Sequence, residues 1–354
     1  MNDNSITIRS AESFDHESWD EFILTHPDAS PYHLFAWRKA IESAYGHPCT
    51  YLYYQINNEI NGVLPIVHLH FPMVKNEMVS LPFCDVGNCI ADDEEIQDSL
   101  LNELFNLLKK SRIGNFQIRG DLKPSDFVQS QLQRVETGKV RMFLDLPESA
   151  EVLLKSFKSK LRSQIRKAEK NGLVFEWGCI DDIDKAYYVF SKNMRELGSP
   201  VHSKRFLRSV LENYGDRAKL GLTKFEDKFV GMGIILLGGQ SVSIPWASTL
   251  REYNRLGPNM LLYWNFLKYS ADNGYNYFDF GRSSEGEGTY RFKKQWGAEP
   301  ISLYWYELRH GLTARSKQDA TGSRKREFAE KIWRNLPLGV ANAFGPYIRK
   351  YISL

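Results

Sequence analysis

The stretch Leu220-Gly221-Leu222-Thr223-Lys224-Phe225, then Glu226-Asp227-Lys228, then Phe229-Val230-Gly231-Met232-Gly233-Ile234-Ile235-Leu236-Leu237 reads as strand, polar turn, strand. The same order stands earlier in the chain: Cys49–Ile56, the turn Asn57-Asn58-Glu59, and residues 60–69. Gly62 and Gly231 fall just past the two turns. The segments after the two hairpins are also alike. Residues 94–110 have helical periodicity and lead through Gly114 to the strand Asn115–Arg119, while residues 258–273 lead through Gly274 to a strand at 277–280. The offset is about 170 residues at the hairpins and about 160 at the closing strands. Loop insertions between diverged copies leave such a drift. The repeat predicts an α/β (α+β) chain of two tandem units, each a mixed, largely antiparallel sheet flanked by helices. The expected division is 1–146 and 147–308, with 309–354 as a separate tail.

At 354 residues, with 42% apolar and 25% charged residues, the chain has the size and composition of a two-domain globular protein. Its 18 Tyr, 21 Phe and 8 Trp suit sheet-rich cores and aromatic-lined grooves. The net charge of +3 is unevenly spread: residues 309–354 hold ten Lys/Arg against three Asp/Glu, +7, leaving −4 for residues 1–308. Cys49, Cys84, Cys89 and Cys179 form no C-x-x-C pair, which predicts a reduced, cytoplasmic setting. The polar residues 1–5 do not read as a secretory signal, and the apolar run 230–237 is too short to span a bilayer.

Between the copies, residues 141–146 read as a strand punctuated by Pro147, and Ser149 reads as the N-cap of a helix running to about Asn171 and ended by Gly172. That helix carries seven Lys/Arg over residues 155–170 against one acid, Glu169. It reads either as a solvated face or as a surface for a phosphate-rich ligand, a nucleotide-linked substrate or RNA. No DNA-reading motif accompanies it. Arg251 to Leu261 bring a Gly-Pro turn to a helix start, so Arg255, Gly257 and Asn259 are candidates for an acyl-CoA phosphate site, with a simply capped helix as the alternative. The eight histidines, from His16 to His310, are scattered, and no nucleophile has an obvious base. Such a chain performs its chemistry by positioning two substrates and stabilising a transition state.

The candidate centre is Tyr277-Phe278-Asp279-Phe280-Gly281-Arg282, followed by Gly286 to Gly297. A short strand runs into a glycine-broken loop that delivers Tyr290, Phe292, Lys293, Lys294 and Trp296 together. The segment reads either as a setting in which the Lys293 ammonium stabilises an anion better than in water, or as an amphipathic edge whose lysines are solvated. Asp279 either orients Lys293 or Arg282, or bonds the strand-end backbone.

Lys160-Leu161-Arg162-Ser163-Gln164-Ile165-Arg166-Lys167-Ala168-Glu169-Lys170-Asn171-Gly172 resembles the R-x-x-I-R-K-A-x-x-x-G helix of FemABX-type transferases. Phe278-Asp279-Phe280-Gly281 and Phe292-Lys293-Lys294-Gln295-Trp296-Gly297 resemble that family's D-F-G strand end and F-K-x-x-[FW]-G element. Phe35-Ala36-Trp37, residues 80–87 with Asp85, residues 197–201 and residues 332–342 resemble the FemAB-like proteins of exopolysaccharide and exosortase gene neighbourhoods. The resemblance covers nearly the whole chain and implies two tandem GNAT-like domains and acyl transfer to an amine. Its peptidoglycan-bridge members take an aminoacyl-tRNA donor and a nucleotide-linked muropeptide acceptor.

The resemblance also implies that Lys293 stabilises the tetrahedral state and that basic side chains, with Arg205 as the match, hold acceptor phosphate. Substrate contacts are then expected at Arg205, Arg282, Tyr290, Phe292, Lys294, Trp37 and Asp85. The expected co-substrate is an acyl-CoA or an aminoacyl-tRNA, and the acceptor a nucleotide- or lipid-linked glycan or peptide. The alternatives are an acetyl-CoA-dependent amino-sugar N-acetyltransferase and a non-catalytic binding module. The tail reads either as a terminal helix docked on the first unit or, over 328–354, as a basic amphipathic surface peripheral to the membrane's inner face.

Overall fold

Strands follow the period-two pattern that puts alternate side chains on opposite faces. Val140, Met142 and Leu144 are buried, while the alternating Arg141 and Phe143 are only half-buried. The computed structural model describes residues 6–71, 75–111, 113, 115–308 and 320–353. It contains one 13-stranded sheet. The strands are β1 (Ile6–Ser10), β2 (Cys49–Ile56), β3 (Glu59–Phe71), β4 (Lys75–Val79), β5 (Ile90–Ala91), β6 (Asn115–Arg119) and β7 (Leu132–Asp145). They continue as β8 (Leu173–Gly178), β9 (Ala218–Phe225), β10 (Lys228–Leu237), β11 (Ser241–Thr249), β12 (Tyr277–Ser283) and β13 (Glu299–Leu308). Their spatial order is β1-β2-β3-β4-β6-β13-β7-β12-β11-β10-β9-β8, with β5 beside β3.

The two hairpins pair as β2 with β3 and β9 with β10. Each half then holds one parallel pair of three residues: Glu77–Val79 with β6, and Ser241–Ser243 with β12. Gly120 and Gly281, just after or near the end of these closing strands, both take left-handed φ, 99° and 71°. The halves interleave at the centre, where β13 lies between β6 and β7, and β7 lies between β13 and β12. The last strand of each copy therefore completes the sheet of the other. The point 146/147 separates two chain segments, but the hydrogen bonds of β7 run to both sides of the sheet. Gly114, His310 and residues 309–319 of the tail lie outside the described residues.

The basic segment is two helices, not one, Ala150–Ser156 and Ser159–Lys170. Ser149 caps the first by accepting from the Val152 N–H. Phe157 then turns extended and buries its ring edge-on against Trp264 and Trp296, with centroids 6.1 and 5.5 Å away. Burial of the ring outweighs the local propensity to continue the helix.

The halves also share a core. Trp37, fully buried on the helix Phe35–Tyr45, packs against Phe206 and Trp246 of the second half at 5.6 and 6.2 Å. Ser43 and Ser209 hydroxyls meet at 2.5 Å, and Tyr45 Oη lies 2.8 Å from His202 Nδ1. Trp37 is thus a core residue with no face open to substrate, which corrects the expectation of a substrate contact. Its Nε1–H donates to the Pro82 carbonyl at 3.2 Å, anchoring the loop that carries Asp85. Trp37→Phe orphans that buried carbonyl and is expected to cost about 1–3 kcal/mol in urea unfolding. An unchanged midpoint would contradict this anchoring role.

The tail corrects a second expectation. Its helices Ala320–Asn335 and Leu338–Arg349 dock on the helix Ile183–Leu197 of the second half, through Arg195 to the Arg334 carbonyl and Asn342 to Ser191 Oγ. Beyond the second helix, the chain end reaches the first half. The Lys350 carbonyl meets His47 Nε2, and the Ser353 carbonyl accepts from Phe83 N–H and Arg119 Nη1. No helix among the described residues is long and apolar enough to cross a membrane.

Candidate active site

Three segments converge on Lys293: the bulged end of β12, the helix Gly288–Gln295, and the loop 80–88 from the first half. The pairing of β12 with β7 slips between Asp279 and Arg282, and Gly281 sits in that slip at φ 71°. A bulge with a left-handed glycine bends the strand and re-aims its backbone groups. Here two successive carbonyls, Gly281 and Arg282, accept from Lys293 Nζ at 3.0 and 2.7 Å.

Lys293 stands on a helix, which corrects the expected loop. Phe292 and Trp296, one turn apart, bury against Tyr263 at 5.0 and 6.5 Å, and this hydrophobic grip overrides the flanking glycines. The ammonium carrier is left only 8% exposed. Burial lowers its pKa to about 8, partly offset by the carboxylates of Asp85 and Asp279. Of its three N–H bonds two are held by the carbonyls, and one is left uncommitted among the described residues.

Asp279 is 2% exposed and does not bond Lys293. Its Oδ2 accepts from Arg141 Nε and Nη2 at 2.9 and 2.7 Å and from Ser243 Oγ at 3.3 Å, while Oδ1 accepts from the Gly281 N–H at 2.8 Å. It is a positioning residue for the Gly281 bulge, not a group facing substrate. Arg141, its half-buried partner, lies over the Phe143 ring at 4.5 Å. It also lines a cavity of about 440 Å³ with Asn88, Gly120, Lys123 and Tyr304.

Asp85 closes the site from the first half. Its Oδ2 accepts from the Arg282 N–H at 2.9 Å, and its Oδ1 lies 3.6 Å from Arg282 Nε. The fully buried Arg119 holds this loop, donating from Nη1 to the carbonyls of Leu81 and Cys84 at 3.2 and 3.0 Å. Burial lowers the Arg119 pKa to about 10, leaving it charged at neutral pH. His33 pins the far end of the loop. Burial lowers its pKa to about 4, so the neutral ring accepts from the Ser30 N–H at Nδ1 and donates from Nε2 to the Asn88 carbonyl. Arg141, Arg119 and His33 carry no signal in the sequence because each is recruited through strand register or loop packing, and no local motif marks them.

The other candidates are dispersed. Arg282 is exposed beside Asp85, Tyr290 and Phe292 are half-buried against the core of the second half, and exposed Lys294 pairs with Glu299 at 2.5 Å. Arg205 is exposed on the helix Lys204–Tyr214, and no hydrogen bond joins it to the Lys293 group among the described residues. Arg255, Gly257 and Asn259 sit where the turn Arg251–Leu256 meets the helix Pro258–Asp272. Gly257 and Met260 spend their N–H groups inside this turn, on the Asn254 and Gly257 carbonyls, and Pro258 has none. Such a turn offers few donors to a pyrophosphate. Among the described residues no three His, Cys, Asp or Glu side chains gather as a metal set.

A family model described as an acetyltransferase (GNAT) domain matches residues 155–294, the segment that holds the basic helix, the β12 bulge and Lys293. The crystal structure of FemX superposes with a TM-score of 0.71 over 92% of this chain and 100% of that one, at 13% identity. Residues 155–294 thus match a GNAT domain, within a chain whose fold is FemX-like. A tandem GNAT protein from the clavulanic acid biosynthesis pathway follows the same course (TM-score 0.52, 10% identity, 88% of this chain and 99% of that one). So does L-PGS from Bacillus licheniformis (TM-score 0.52, 11% identity, 83% and 87%). No curated protein matches. The expected tandem α/β architecture and the FemAB-like resemblance agree with this fold, and the match over residues 155–294 is to a model of acetyltransferases.

Proposed function

We propose that this protein moves an acyl or aminoacyl group onto an amine of a cell-envelope or exopolysaccharide precursor. The supporting observation is the buried Lys293 ammonium, tethered by two carbonyls with one N–H left over, where the two halves meet. The acceptor amine attacks the activated carbonyl, a C–N bond forms, and the ester or thioester bond to the donor breaks. The amine's proton leaves with the departing oxygen or sulfur. Lys293 meets the oxygen on which negative charge develops, where a fixed donor acts most strongly. Holding both partners side by side in the reactive orientation removes further barrier, up to roughly 7–11 kcal/mol in the best-oriented cases.

Between the two donors, the Gly257 turn favours aminoacyl-tRNA over acyl-CoA, because Pro258 has no N–H and the Gly257 and Met260 amides are already used. The basic face of the helix Ser159–Lys170 suits a polynucleotide phosphate backbone. The acceptor in this reading is a nucleotide- or lipid-linked glycan or peptide. The competing reading, an acetyl-CoA-dependent amino-sugar acetyltransferase, is separated by calorimetry. Acetyl-CoA titrated into the protein is expected to give no saturable heat. Saturable micromolar binding would replace the aminoacyl donor with acetyl-CoA. Mass spectrometry of a nucleotide-linked muropeptide incubated with aminoacyl-tRNA should then show the added residue. No mass gain on this or a lipid-linked acceptor, with either donor, would support the binding-module reading.

A further inference from the structure

The two tail helices each turn one face to the protein and another to solvent. Inward, Ala341 is buried, Asn342 bonds Ser191, and Gly345 lies so close to Val201 that a Cβ would stand 3.1 Å from its backbone nitrogen. Outward, Val340, Phe344, Tyr347 and Ile348 are 39, 61, 70 and 42% exposed. Their i, i+4, i+7, i+8 spacing makes them one stripe of the helix. On the preceding helix Phe328 and Ile332, again one turn apart, are 66 and 49% exposed. Scattered exposed apolar residues need no explanation, but two ordered stripes on adjoining helices mark a contact surface.

The charge around them indicates what they meet. The tail, residues 309–354, holds ten Lys/Arg against three Asp/Glu; beside the stripes Lys331 is exposed, Arg334 pairs with Glu330 at 3.4 Å, and Arg349 is largely buried. We propose that this face docks on a bilayer surface containing anionic phospholipid. Aromatic and aliphatic side chains enter the headgroup boundary, and the exposed cations of the tail, Lys331 among them, stay with the lipid phosphates. Pro337, capping the second helix, and Pro346 within it keep the helices short, so the tail lies on the membrane and does not cross it. The docking stands apart from the transferase reading. Joined to it, the hydrogen bond that Arg119 donates to the Ser353 carbonyl places the tail next to the loop that carries Asp85, which suits a lipid-linked acceptor.

The test is flotation of the full chain with phosphatidylcholine vesicles, with and without phosphatidylglycerol. The parent is expected to float with the anionic vesicles only, and less at high salt. Phe344→Ser/Tyr347→Ser/Ile348→Ser should lower partitioning at least ~10-fold with an unchanged melting curve, since the three side chains are exposed. Should this variant fail to fold, Lys331→Glu serves instead and must weaken binding to the anionic vesicles. Equal flotation of variant and parent, or no flotation of the parent, overturns the proposal. A parent that sediments as a dimer, and as a monomer once the stripe is replaced, assigns the face to a second copy and overturns it too. Because no donor or acceptor enters this assay, its outcome is independent of whether the protein transfers an acyl group.

Discussion

Lys293→Met is expected to lower turnover about 100- to 1000-fold, the usual loss for one oxyanion donor, while leaving the protein no less stable at pH 7. The two halves of this expectation have one cause. Burial drops the Lys293 pKa from 10.5 to about 8, which means that the fold bears a cost for holding the charged form. Below pH 8 the lysine is charged in both folded and unfolded chains, so this cost is present in full, roughly 3 kcal/mol. Between pH 8 and about 10.5 the unfolded chain binds more protons, and folding stability rises with pH. Methionine removes the burden at once and loses two hydrogen bonds, to the Gly281 and Arg282 carbonyls, each worth about 1 kcal/mol net. Any advantage of the variant should therefore shrink as pH climbs through that window. Turnover of the parent should fall as pH passes 8, because the proton on Lys293 is the one that meets the oxyanion. Turnover that rises through pH 8 to a plateau would instead make Lys293 a general base. A variant that melts far below the parent would make it structural.

Asp279→Ala should be the most damaging single change to stability near the site, costing about 3–5 kcal/mol, because it strands a partly buried guanidinium at Arg141. It also orphans the Gly281 N–H and the Ser243 hydroxyl. Asp279→Asn keeps an acceptor for Gly281 and is expected to fold with a smaller loss. Its effect should appear in the pH–rate profile. The Asp279 charge raises the Lys293 pKa, so the asparagine variant should lose activity at lower pH than the parent. Thermal melts and rate profiles of both variants test this together. If Asp279→Asn leaves the profile unmoved, the electrostatic link to Lys293 is absent. If Asp279→Ala melts with the parent, the buried pair with Arg141 does not hold the bulge.

Much of the fold was legible because hairpins and amphipathic helices are local patterns. The polar turns at Asn57-Asn58 and Glu226-Asp227, the cap at Ser149 and the strand end at Asp279-Phe280-Gly281 all declare themselves within a few residues. Side-chain periodicity and turn chemistry act over that range and need no partner. Lys293 was legible for the same reason, as a cation inside an aromatic run.

What the chain could not disclose alone is how the repeated units are joined. The exchange of β7 and β13 across the centre depends on strand register, and no local pattern encodes register over more than a hundred residues. The same holds for Arg141 on Asp279, for Arg119 beneath the loop of Asp85, and for Trp37, whose aromatic motif marks a core and not a substrate wall. The helix under Lys293 and the break at Phe157 arise because buried rings outweigh the propensities of their own segments. Local composition thus determined which elements and which cation this protein has. Only long-range packing decided that the cation is buried, tethered by two carbonyls, and faced by a carboxylate from the other half.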